Sequence, residues 1–85
     1  MEELIHLHTQ QVEDASGVRY EVRVCGEARE DGTWEGWIEF HPADGRAAPV
    51  LRTGRETTQP NRQALVYWAS GLEPLYMEGA LSRAS

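Results

Sequence analysis

The 85-residue chain contains no lysine, one cysteine and one phenylalanine. Nor does it hold any apolar run approaching the roughly 18 residues that cross a membrane. Each absence excludes something. A lone cysteine, Cys25, can form no internal disulfide, which fits a reducing compartment. The opening Met-Glu-Glu-Leu-Ile-His has no basic segment ahead of an apolar stretch, so no secretory signal is expected and the location read from the sequence is cytoplasmic. Without lysine, eight arginines face 14 acidic residues and the formal net charge is −6. Nucleic-acid backbones demand several clustered cations, so nucleic acid is not the expected partner, and no membrane association is expected either.

What is present is ordinary globular composition, 40% hydrophobic and 26% charged, which argues against general disorder. The length fits one domain near the small end of what folds without disulfides or metals. The charge is segregated. Residues 1–45 hold eleven acids and three arginines; residues 46–85 hold three acids and five arginines.

Two alternating runs are the clearest signals. Val18, Tyr20, Val22 and Val24 alternate with Arg19, Glu21, Arg23 and Cys25; Trp34, Gly36, Ile38 and Phe40 alternate with Thr33, Glu35, Trp37 and Glu39. Asp31-Gly32 between them suits a tight turn, so the two form an antiparallel hairpin with one apolar face. Asp14 to Gly17 reads as an earlier turn, and Pro42 to Pro49, with Asp44-Gly45, as a later one. Val50 to Thr57 then makes a third strand with Gly54 as a bulge. Thr58 is the expected helix cap, with Pro60 in the first turn. Leu65, Trp68, Ala69 and Leu72 give the helix one apolar stripe. Gly71 ends it, and Pro74 opens a second helix over residues 74–82, where a strand pattern also fits.

The expected fold class is therefore α+β in a single domain, 1–85. An N-terminal segment or edge strand (1–17) precedes a three- or four-stranded antiparallel meander (18–57). One or two helices (58–82) cover one sheet face.

Two groups of residues stand out as candidate sites. On the outer sheet face, Trp37 sits among Arg23, Glu35 and Glu39, a large apolar group stranded among charges. Exposed, it would anchor an interface; otherwise Leu4, Ile5 and Leu7 would cover it. The second group places Arg52, Arg55 and Arg62 with Thr57 and Thr58 about the expected helix start. Free amides and the helix dipole favour an anion there, so a phosphate, nucleotide or RNA could balance the cations. Salt bridges to the acidic half would do the same, and no glycine-rich phosphate loop accompanies the cluster.

Metal and catalytic signals are thin. His6, His8, His41 and Cys25 could serve as ligands, yet no spacing fixes four of them together. Cys25 lies on a strand with no positive helix end beside it, and Glu21, Glu35 and Glu39 read as solvated sheet residues. No catalytic residue, metal or cofactor is expected. The function expected is that of a non-enzymatic module binding another protein or a second copy of itself.

Two resemblances add to this. The block Thr53 to Leu65, with Tyr67-Trp68-Ala69 and Gly71 to Pro74, resembles a block of short uncharacterised bacterial proteins over about a third of the chain. It implies a compact domain without assigned activity. More loosely, the Asp31-to-Ile38 hairpin, a third strand, then Thr58 opening a helix with Ala64-Leu65, is similar to the βββα order of HicB-type antitoxins. As a family these neutralise a small RNA-cleaving toxin, which implies a protein partner.

Overall fold

The computed structural model describes residues 1–43, 45 and 48–85. Five strands come first: β1 (Glu3–Glu13), β2 (Arg19–Ala28), β3 (Trp34–Pro42), β4 (Leu51–Arg52) and β5 (Thr57–Gln59). Two helices follow, α1 (Arg62–Ser70) and α2 (Pro74–Arg83). The sheet is antiparallel in the order β1-β2-β3-β4, and β5 also pairs with β3. Both helices lie on one face, so the α+β expectation holds. Neither helix is long and apolar enough to cross a membrane.

The central hairpin forms as its alternation dictates. Val22 faces Phe40 and Val24 faces Ile38 across β2 and β3; these four side chains are fully buried beneath the helices. Its turns use local polar groups. Asp31 accepts the Thr33 amide, and Gly32 takes a φ of 88° that a side chain would resist. At the preceding corner Asp14 Oδ1 accepts the amides of Ser16 and Val18. The expected turn at Pro42–Pro49 falls partly outside the described residues.

β1 is the edge strand that periodicity left open. Its register shifts twice, between Leu4 and His6 and between Leu7 and Gln11. These bulges break the two-residue period that would have announced it. They let Ile5 turn inward against the core. Leu4 and Leu7, opposite Cys25 and Arg23, lie on the outer face.

The expected third strand is two short strands with an interruption. Thr53 replaces a backbone partner there: its Oγ1 accepts the Ile38 amide at 3.0 Å, and its own amide donates to the Ile38 carbonyl at 2.9 Å. Thr53 is the buried polar residue of the described chain, and this exchange satisfies it. Pairing resumes when Glu56 donates its amide to Gly36, leading into β5.

The helix start also differs from expectation. Thr58 does not cap α1; Asn61 does, with its Oδ1 accepting the Ala64 amide at 2.8 Å. Thr57 and Thr58 are β-branched and lie beside the open edge of β3, where they pair with Gly36 and Glu35. Sheet pairing claims them before the helix can. α2 runs over Pro74–Arg83, settling the helix-or-strand alternative as helix.

Gly26 and Gly36 face each other across β2 and β3, and Leu65 of α1 sits directly on them. A Cβ at Gly26 would lie 2.5 Å from a Leu65 methyl and 2.9 Å from the Glu35 carbonyl; one at Gly36 would lie 2.7 Å from Leu65. The glycines are needed for close approach, not for special torsions. Gly36→Ala is accordingly expected to lower unfolding free energy by about 1–3 kcal/mol through overpacking. Urea unfolding checks this; an unchanged midpoint would mean that α1 is free to stand off the sheet.

Candidate functional site

Trp37 does not stand exposed. It is 2% exposed, while Leu4 and Leu7 at the start of β1 remain 51% and 46% exposed. The Arg52 guanidinium of β4 lies over the ring, 4.2 Å from its centroid, and reaches Glu2 Oε1 at 3.0 Å. A guanidinium can do this because it is planar and weakly hydrated. The indole N–H donates to Glu39 Oε2 at 3.3 Å, and His41 meets the other oxygen at 3.0 Å. Burial alone would raise the Glu39 carboxyl, but the hydrogen bonds from His41 and Trp37 outweigh it and hold the group below its usual value. The remaining residues of this face are engaged too, Arg23 with Glu21 at 2.8 Å and Glu35 with Arg29 at 3.8 Å.

The arginine-threonine group is dispersed. Arg52 lies over Trp37, Thr57 and Thr58 are in β5, and Arg62 begins α1 with its Nε 2.6 Å from Glu3. Arg55 is exposed and makes no ion pair among the described residues. The threonine-lined helix start expected for an anion is therefore not made. The acids that answer Arg52 and Arg62 come from the chain's first three residues rather than from the hairpin.

Cys25 lies beside Trp37 on the same face. Burial, then the nearby carboxylates of Glu39 and Glu2, push its thiol up to about 11. At neutral pH it is protonated and a poor nucleophile. His6 and His8 meet edge to face at 4.5 Å, and His8 Nε2 donates to the Ala69 carbonyl at 2.9 Å, an acceptor that assigns the tautomer. Among the described residues no three His, Cys, Asp or Glu side chains lie close enough to hold a metal.

Three concavities stand out among the described residues, one of them polar and lined by Thr9, Gln11, Glu13 and Arg19. Another, of about 380 Å³, lies between the Glu13–Ser16 corner and Leu51, Glu78 and Leu81. Its Asp14 carboxylate is already committed to two amides and the Tyr20 hydroxyl. The third, of about 440 Å³, is a shallow, mainly apolar depression at the α1–α2 turn, lined by Leu72, Leu75 and Tyr76 with Glu73. Around it the helical layer is unusually bare. Tyr67 is 84% and Leu75 80% exposed, each at the outermost position of its helix. Tyr76 is fixed by a 2.6 Å bond to Glu56 and an edge contact with Trp68 at 6.1 Å. The helical pattern over 74–82 groups Leu75 with Tyr76, Gly79 and Ala80, but α2 buries Met77, Ala80 and Leu81 and leaves Leu75 outside; Tyr67 is offset from the Leu65–Ala69 stripe of α1.

No family model, curated protein or solved structure matches this chain.

Two outcomes follow from the outer face and from His8. Arg52→Ala is expected to expose Trp37 to acrylamide quenching and to destabilise by about 0.5–2 kcal/mol, with Arg52→Lys recovering only part. Unaltered quenching would show that Arg52 is not the cover. His8 is held below its ordinary 6.5 chiefly by burial, so the unfolded chain binds the extra proton more readily. Its contribution to stability is full above that value and is lost as pH falls through the folded pKa. The urea midpoint should drop between about pH 7.5 and pH 5, and drop less in His8→Gln. An equal drop in both proteins would exclude His8 as a source.

Proposed function

We propose that the chain is a non-catalytic protein-interaction module of the cytoplasm, and that its contact surface is the outer side of the helical layer. The observation that carries this reading is the pairing of Tyr67 and Leu75, almost fully exposed on adjacent helices, with the apolar depression at Leu72 and Tyr76. Tyrosine is among the residues enriched at interface hot spots. Scattered single apolar residues carry no such weight, but Leu75 borders the apolar depression with Leu72 and Tyr76.

The reading also answers what the sheet leaves over. Trp37 is spent on Arg52, the outer-face acids are engaged by neighbours, and Cys25 is a buried neutral thiol suited to a reducing compartment. Chemistry would call for a reactive group in a cleft, and the nucleophile considered from sequence is the least reactive form of its kind.

Tyr67→Ser with Leu75→Ser tests the proposal. Both positions are solvent-facing, so the unfolding free energy from urea titration should stay within about 0.5 kcal/mol of the parent. Chemical crosslinking in extracts of the native cells should then yield complexes with the parent that the double variant lacks. Identical complexes from both proteins would sink the assignment of this surface.

A further inference from the structure

The charges bordering the exposed helical surface narrow the kind of partner, an inference that rests on the protein-binding reading above. Glu73 occupies the N-cap position of α2, yet its side chain makes no capping hydrogen bond. Glu78 follows Leu75 by three residues and so flanks it on the same side of the helix. Neither carboxylate makes an ion pair or a hydrogen bond among the described residues. The two arginines of the helical layer cannot offset them. Arg62 is held by Glu3 at 2.6 Å and Arg83 by Glu56 at 2.6 Å. The rim thus consists of Glu73 at the depression and Glu78 beside Leu75 on the flank that also borders the Glu13–Ser16 corner. Both are unpaired among the described residues, while the Arg83 guanidinium, 5.9 Å from the Tyr76 ring, is answered by Glu56.

That rim discriminates between occupants. A second copy docked by a two-fold would bring two pairs of Glu73 and Glu78 against one apolar contact, where like charges oppose association. A partner with cations beside an apolar stripe meets the same surface favourably. We infer that the α1–α2 surface docks the apolar face of an amphipathic helix whose stripe is bordered by lysine or arginine. One large apolar side chain of that helix would enter the depression at Leu72, Leu75 and Tyr76, and a neighbour one turn along would lie against the exposed apolar surface beside it. Glu73 and Glu78 would receive the bordering cations, adding rate and orientation more than affinity.

The test uses the whole chain and three probe peptides of about 18 residues, five helical turns, at about 0.15 M salt. One carries a leucine stripe bordered by lysine, the second the same stripe bordered by glutamate, and the third is the scrambled lysine peptide with no apolar face. Amide shifts of the labelled protein report binding. The lysine peptide should saturate shifts over residues 67–78, weaken about tenfold or more with Leu75→Ser, and weaken about two- to fivefold with Glu73→Gln or Glu78→Gln. Neither control peptide should bind. Equal binding of the scrambled peptide, shifts centred on the sheet, or indifference to Leu75→Ser would overturn the inference. Sedimentation separates this failure from that of the broader reading. Self-association lost in Leu75→Ser would replace the basic partner with a second copy and keep the surface. An inert monomer that binds no probe and loses no complex in Tyr67→Ser/Leu75→Ser would remove both.

Discussion

The Leu65 side chain rests on bare backbone where Gly26 and Gly36 pair across β2 and β3, and the placement of the helical layer follows from that contact. A side chain at either glycine would collide with the Leu65 methyls, so that Leu65 would have to repack or α1 move off the sheet. Lifted, the helix could not bring its Ala69 carbonyl within 2.9 Å of His8, nor Arg62 within 2.6 Å of Glu3. The two glycines therefore do more than permit packing. They set how closely α1 approaches the sheet at Leu65. In a chain of 85 residues the buried apolar set is small, so one such contact weighs heavily.

The charge segregation of the sequence is spent within the fold. Glu2 and Glu3 at the start of β1 reach Arg52 and Arg62, and Glu56 reaches Arg83. Surface pairs of this kind contribute about 0–1 kcal/mol each, too little to hold the fold together. Their effect is on placement. Arg52 is carried over Trp37, and the acidic N-terminus is tied across the sheet to the far edge. Lysine could supply the charge but not the flat face that lies over an indole. A chain without lysine, whose strongly basic side chains are all arginine, has the side chain this covering requires.

The central hairpin and its inner face were legible in the sequence because strict alternation admits one pairing with one buried side. The Val18–Val24 and Trp34–Phe40 faces are where periodicity put them. β1 was not legible, since two bulges interrupt its period and send Ile5 inward while Leu4 and Leu7 stay out. The helix start misled for a different reason. Thr58-Gln59-Pro60 satisfies the local rules for a cap, and so does Asn61; an open strand edge decided between them, and no local rule sees that edge. Trp37 shows the same limit at the candidate site. Outward on a strand is not the same as exposed, and the residue that covers it is 15 positions away on a strand that is only two residues long.

That difference between outward and exposed also explains why the functional surface moved from the sheet to the helices. A sheet face offers side chains from neighbouring strands at about 5 Å, so one long arginine can cross it and find both a ring and a carboxylate. A helix pair offers no such lattice. Tyr67 and Leu75 point away from every other element, and no neighbouring strand can send a side chain over them. Covering them from within would need another element, whereas Trp37 is met by side chains of its own sheet, Arg52 over the ring and Glu39 at the indole N–H. An apolar group left bare on the helices is thus harder for the fold itself to satisfy, and its natural complement is a surface contributed by another molecule.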